Sequence, residues 1–219
     1  MKDRFLSSSI ILIALIGSLA ITSCKDPKVE GSRTEVLEIY DTVNEGEAYS
    51  KGKLQHYESK SYNGDKHMET MFYNASGEAE GRQQFLYKGS MDQPYRSEYF
   101  SPEGDLMSYY QYTYDNKGHQ QEIKGYDGQT DELLRIETFE YNGDLRTRRD
   151  IRNSNNVIQR SFHFEFDQYG NEAEMIVTAA TGDTLAMETY QITLMDAENQ
   201  WIEKWGFVND VPSTYQVKK

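Results

Sequence analysis

The chain has 219 residues and a formal net charge of −13. Its acidity disfavours binding to nucleic acid and to anionic membrane surfaces, and its single cysteine excludes an intramolecular disulfide. The fold must therefore be held by buried side chains, and the length suits one domain.

The first 23 residues are predicted to be a secretory signal. Lys2 and Arg4 precede an apolar run at residues 10–21, which is shorter than the about 20 residues that cross a bilayer. The sequence ITSC at residues 21–24 resembles the lipobox of bacterial lipoproteins. The resemblance implies that Cys24 is lipidated, becomes the mature N-terminus and attaches the protein to the membrane. An ordinary signal peptide with a chance cysteine is the alternative.

Residues 24–34 are predicted to be the lipidated N-terminus and a flexible tether, because they are polar and contain a proline and a glycine. The Lys-Asp pair after Cys24 also resembles the charged signals that send some Bacteroidota lipoproteins to the cell surface. A plain solvated linker explains the pair equally well. The folded domain is expected over residues 35–219.

From residue 40 onwards, clusters of Gly, Asn, Asp and Ser recur roughly every dozen residues, and these residue types form turns. The clusters lie at residues 62–65, 74–77, 88–90, 101–104, 115–118, 127–128, 142–144, 153–156, 167–171, 181–183 and 196–199. Between them lie segments of about 6–10 residues rich in Tyr, Phe, Thr, Ile and Val, which is the pattern of consecutive β-hairpins.

Two segments place aromatic rings at alternate positions, which marks a strand with one buried face. The rings are Tyr110, Tyr112 and Tyr114 in the first segment and Phe162, Phe164 and Phe166 in the second. Tyr109 and His163 fall on the opposite faces. Segments 133–141 and 185–194 are less regular, and residues 36–43 allow either a first strand or a short helix.

The sequence thus predicts an all-β fold, an antiparallel meander of consecutive hairpins with about ten to twelve short strands. A sheet of this length tends to curl or split. We expect a curled sheet, a half-barrel or a two-layer sandwich, and whether the sheet closes into a barrel stays open. A mean hydropathy of −0.80 disfavours a membrane-spanning barrel, which needs an apolar outer band.

An aromatic approach to the turn recurs along the chain. The best copies are YTYDNKG at residues 112–118 and FEFDQYGN at 164–171, with looser copies at 72–77, 99–104, 139–143 and 193–202. The motif resembles the YD repeat of Rhs-type proteins, in the degenerate form found in many Bacteroidota lipoproteins. The resemblance implies β-hairpin repeats on the cell envelope, sometimes sugar-binding, and it carries over no catalytic residue. The Arg-Leu pair that usually follows the turn glycine in that family is missing from both best copies.

The sequence contains no motif for a metal, a phosphate or a catalytic nucleophile, so we predict no enzyme activity, no cofactor and no metal site. The positive signal is aromatic, since 17 Tyr and 2 Trp have rings with polar tips. Trp201, Trp205 and Tyr109 are the candidate binding residues, and the alternative is that these rings are buried in the fold.

The function predicted from the sequence is that of a non-catalytic, lipid-anchored protein of the outer membrane, on its periplasmic or surface face. It would use a β-repeat surface for recognition or scaffolding, with a glycan as the first ligand considered. A protein-interaction module is the alternative, and a hydrolase is a third class that would need a carboxylate pair in a pocket.

Overall fold

The computed structural model describes residues 32–44 and 48–219, which form 14 β-strands. Each strand pairs antiparallel with the strands before and after it, and the first strand pairs with the last, so the sheet is a closed barrel. The strands are β1 (Ser32–Asn44), β2 (Tyr49–Asn63), β3 (Lys66–Asn74), β4 (Ala79–Leu86), β5 (Arg96–Phe100), β6 (Leu106–Tyr114), β7 (Gln120–Asp127), β8 (Leu133–Asn142), β9 (Leu145–Asn153), β10 (Ile158–Phe166), β11 (Glu172–Ala179), β12 (Thr184–Met195), β13 (Trp201–Val208) and β14 (Val211–Lys218). Within the described residues, no helix is long and apolar enough to cross a membrane.

The antiparallel meander of consecutive hairpins is confirmed, and the open shapes expected for it are corrected to a closed barrel. The seam between β1 and β14 runs from the pair Leu37 and Lys218 to the pair Tyr40 and Tyr215. Closure satisfies the backbone groups that would line the two edges of an open sheet.

The N-terminal boundary also differs from the expectation. Residues 36–43 are strand, and β1 begins at Ser32, so residues 32–34 belong to the barrel rather than to the tether. The predicted signal peptide, Cys24 and the rest of the tether lie outside the described residues.

One type of turn recurs at both ends of the barrel. In the turn after β6, Asp115 N–H donates to His119 O at 2.8 Å and Gly118 N–H donates to Asp115 O at 3.1 Å. Gly118 has φ 90° and Asp115 Oδ1 accepts two further backbone N–H groups, so a left-handed residue and an aspartate complete a three-residue hairpin loop. The same backbone pairing closes the turns at residues 74–78, 101–105, 115–119, 153–157, 167–171, 179–183 and 196–200.

The copy at residues 139–143 has a different turn. It leads into a two-residue loop in which Gly143 has φ 62°. The aromatic motif therefore marks strand ends that lead into more than one turn type.

One face of the sheet forms the barrel interior. Residues paired across neighbouring strands share a face, and buried side chains follow one another along these pairs: Tyr112 pairs with Ile123, which pairs with Glu137. Gln83 and Tyr112 both hydrogen bond to Ser97, which is fully buried.

The two strands with clear aromatic alternation are oriented as expected. Tyr112 is buried, and Tyr110 and Tyr114 are partly buried on the same face. Phe162 and Phe164 are buried against β11, in an apolar cluster with Met175 and Val177. His163 lies on the exposed outer face.

The outer face is polar, in keeping with the low mean hydropathy. Ion pairs link alternate residues of single strands or of neighbours: Arg96 with Glu98, Lys124 with Glu122, Arg82 with Glu69, and Arg148 and Arg152 with Asp150.

Candidate functional site in the barrel interior

A round barrel with this number of strands has space inside it. About eight strands enclose an interior that side chains fill, whereas 16–18 leave an aqueous channel. At about 4.8 Å between strands and a tilt of about 40°, a round 14-stranded barrel has a backbone diameter of about 28 Å. Inward rings such as Tyr110, Tyr114 and Tyr141 are only partly buried, which fits a wall that faces open space.

The interior wall carries many charged side chains. The inward basic residues are Arg33, Lys60, Arg135, Arg146, Arg149, Arg160, Lys204 and Lys218, and the inward acidic residues are Glu35, Glu58, Asp127, Glu137, Glu172 and Glu188. Among the described residues, bases therefore outnumber acids inside the barrel, although the whole chain has a net charge of −13. The interior thus favours anions more than the chain's overall charge suggests.

Glu137 is the best-satisfied interior charge. It is 2% exposed, its Oε2 accepts from Arg149 Nε at 2.8 Å, and its Oε1 lies 2.9 Å from Arg135 Nε. Two guanidinium groups offset the cost of burying this carboxylate.

A cavity of about 150 Å³ lies beside this triad. It is lined by Ser108, Tyr110, Gly125, Tyr126, Leu134 and Arg135. Gly125 makes room for the ring and the arginine, because a Cβ there would lie 3.0 Å from Tyr110 Cε1 and 3.2 Å from Arg135 Cγ.

Lys204 lies in an aromatic setting on β13. It is 4% exposed, and its Nζ lies 4.1 Å from the ring centre of Tyr190 and 4.4 Å from that of Trp201. Burial lowers the pKa of Lys204 to about 8, against the opposing effect of Glu172. Burial likewise raises the pKa of Glu172, so this part of the wall disfavours charge of either sign.

The structure does not bring the predicted binding residues together. Trp201 is 9% exposed, and Lys218 Nζ also lies 3.9 Å from its ring. Trp205 is half-buried and tilted against Tyr215.

Tyr109 is on the outer face of β6, as expected, but it is 7% exposed. It stacks on Tyr126 at 4.8 Å, with the Arg96 guanidinium 3.8 Å from its ring. The rings of Tyr109 and Trp201 are thus covered by neighbouring side chains, and neither presents an open face.

The interior arginines and Lys204 were missed, although a signal for part of the set is present in the sequence. Arg135, Glu137, Phe139 and Tyr141 stand at every second position of β8, so period-two patterning places all four on one face. In residues 32–44 and 48–219, no group of three or more His, Cys, Asp or Glu side chains is placed to hold a metal ion.

Comparison with known proteins gives limited similarity to solved structures. The chain matches no protein family model and no curated protein. Among solved structures it is similar to a porin-like protein from Bacteroides uniformis ATCC 8492, with a TM-score of 0.45 and 10% identity over 84% of this chain and 95% of that chain. It is also similar to a LolA superfamily protein from Nitrosomonas europaea, with a TM-score of 0.31 and 9% identity over 87% and 85% of the two chains. Neither likeness assigns a family or a function at these values.

Proposed function

We propose that the protein is a non-catalytic binding protein of the bacterial cell envelope, anchored through a lipid on Cys24, that holds a glycan against the interior wall of its barrel. The lipobox-like sequence at residues 21–24 supports the anchor. The YD-like turns support placement on the envelope, by resemblance. The composition of the interior wall supports a glycan as the ligand.

The observation that carries the proposal is that rings and hydrogen-bonding groups stand together on the inward face. Along β8, the inward side chains are Arg135, Glu137, Phe139 and Tyr141 in succession. A sugar presents apolar C–H faces together with hydroxyl groups, so it needs rings for stacking and planar polar groups for hydrogen bonds. A wall of this composition offers both within one strand.

Isothermal titration calorimetry against envelope and dietary oligosaccharides tests this proposal. Tyr110→Ala removes an inward ring beside the cavity. Tyr73→Ala is the matched control, because Tyr73 stacks on Tyr57 at 4.7 Å on the outer face. We expect saturable binding that Tyr110→Ala weakens and Tyr73→Ala leaves unchanged. Equal losses in both variants, or no binding to any oligosaccharide, would refute it.

A second candidate, a protein-interaction module, is favoured by apolar side chains at one end of the barrel. Met107, Leu134, Val157, Leu185 and Val211 are each at least half exposed. All lie next to turns at the same end of the barrel. These are the turn between β5 and β6 and every second turn after it along the chain. A stoichiometric partner protein that is lost on Leu134→Glu with Leu185→Glu would support this function over glycan binding.

A further inference from the structure

Arg146 stands apart from the other charged groups of the interior. It lies on the inward face near the start of β9, where it pairs with Tyr141 of β8. Its guanidinium carbon lies 4.8 Å from the ring centre of Phe164 and 5.6 Å from that of Phe139. Arginine tolerates such aromatic surroundings because its guanidinium is flat and weakly hydrated.

Four arginines in the described residues have a buried Nε that makes no hydrogen bond: Arg96, Arg135, Arg146 and Arg152. Three of these guanidinium groups have a carboxylate close by. Arg96 lies 2.9 Å from Glu98, Arg135 lies 2.9 Å from Glu137, and Arg152 lies 3.3 Å from Asp150.

Arg146 has no such partner among the described residues, where ion pairs extend to 4.0 Å. The next arginine on this face, Arg149, is already bonded to Glu137. Burial and then the charge of Arg149 lower the pKa of Arg146, while Glu172 acts on it only from a greater distance. A guanidinium group with a buried Nε and no counter-ion is costly, and native proteins rarely leave one in place.

Arg146 is nevertheless open to a ligand. The residue is only partly buried, and its terminal nitrogens, unlike Nε, are neither buried nor hydrogen bonded within the described residues. A guanidinium fork with free terminal nitrogens matches the two oxygens of a carboxylate or sulfate group. The excess of basic side chains on the interior wall would help to draw such a group into an otherwise acidic protein.

We propose that Arg146 binds an oxyanion between Phe139 and Phe164, so that the ligand of the barrel is an acidic glycan that carries a carboxylate or sulfate group. The identity of the glycan rests on the proposed function, whereas binding of the free oxyanion does not. Arg146 is thus a specificity-determining residue of the interior wall.

The free oxyanion is tested by ¹H–¹⁵N NMR of the arginine Nε–H signals during titration with sodium sulfate and with sodium glucuronate. Sodium chloride at equal ionic strength and glucose are the reference titrations. We expect a saturable shift of one Nε–H signal that is absent from Arg146→Gln. Arg152→Gln is the matched control, because that residue also buries its Nε but has Asp150 as a partner. A shift that persists in Arg146→Gln, or that chloride reproduces, overturns the proposal.

Arg146→Lys is a control for the case that Arg146→Gln does not fold, since it keeps the charge and removes only the planar fork of the guanidinium group. We expect it to fold, and to bind glucuronate at least several-fold more weakly than the wild-type protein. Unchanged glucuronate binding by this variant also overturns the proposal.

A comparison of an acidic disaccharide containing glucuronate with its neutral glucose counterpart separates the two proposals. Hydrogen bonds to charged groups contribute about 1.5–3 kcal/mol, so Arg146→Gln should weaken binding of the acidic sugar about 10–150-fold and leave the neutral sugar nearly unchanged. Equal effects on both sugars overturn the role of Arg146 while glycan binding stands. A sulfate shift at Arg146 without binding of either sugar overturns the glycan function and leaves the oxyanion site.

Discussion

Lys204 should make the protein more stable as the pH rises from about 8 to about 10. Its native pKa is about 8, lowered by burial from the ordinary value of 10.5. Between these values the unfolded chain keeps the proton and the native protein has released it. The unfolded state therefore binds more protons in this range, and the free energy of unfolding rises with pH.

The magnitude follows from the difference between the two pKa values. The native pKa of about 8 and the ordinary value of 10.5, at about 1.4 kcal/mol per tenfold change, give about 3–4 kcal/mol over the full interval as an order of magnitude. The interval ends near pH 10 in practice. Tyrosines then begin to ionise in the unfolded chain, whereas Tyr40 and Tyr62, with native pKa values raised to about 12, stay protonated, so stability falls again.

Urea unfolding followed by circular dichroism at pH 7, 8, 9 and 10 measures the effect. Lys204→Met should be more stable than the wild type at pH 7 and should lose most of the rise above pH 8. Lys218→Met should keep most of it, because Lys218 is more exposed than Lys204. Parallel pH profiles for the wild type and Lys204→Met would refute the reasoning, as would an NMR titration midpoint for Lys204 near 10.5.

Three further predictions concern packing and turns, and each is checked by the urea midpoint at pH 7. Gly125→Ala should cost about 1–3 kcal/mol, because the new Cβ would crowd the Tyr110 ring at 3.0 Å, and an unchanged midpoint would contradict the contact. Glu137→Gln should cost about 3–5 kcal/mol, because it leaves the largely buried Arg149 and the partly exposed Arg135 without their carboxylate, and a neutral result would show that the triad contributes little. Gly182→Ala should cost about 1–2 kcal/mol at φ 92°, whereas Asn156→Gly at φ 63° should be neutral or slightly stabilising, and the reverse order would contradict the turn assignment.

The hairpins were predictable because their signals are local. Turn residues and alternating rings lie within a few positions of one another, as at Tyr110 to Gly118, and they fix both the strand and the direction of its buried face. Closure had no such signal. The pairing of Leu37 with Lys218 depends on the shape of the complete sheet, and a half-barrel built from the same hairpins would have the same local sequence.

The site was less predictable than the fold because a wide barrel relaxes the rule that inward means apolar. Charged residues are rarely fully buried. The period-two spacing that places Arg135 and Glu137 on the same face as Phe139 therefore did not lead to the prediction that they point inward. The burial of Trp201 was hard to predict for another reason. Register shifts between Ile192 and Met195 alter the strand pairing next to it, so period-two patterning does not hold across this part of β12 and β13.

The seam pairs the first strand, β1, with the last strand, β14, whereas all other strand pairs in the barrel link consecutive strands. Lys219 N–H donates to Val36 O at 2.8 Å, so the seam can form only after the last strand has been synthesised. Before that point, the incomplete meander has two edge strands with unpaired backbone groups, and strands of other chains can pair with them. In the closed barrel, every strand has two paired neighbours, so no strand has to be the first in the sequence. A circular permutant that links residue 219 to residue 32 and is cut at another hairpin should refold to the same barrel. Its termini would lie at the new position, and its interior wall would be unchanged.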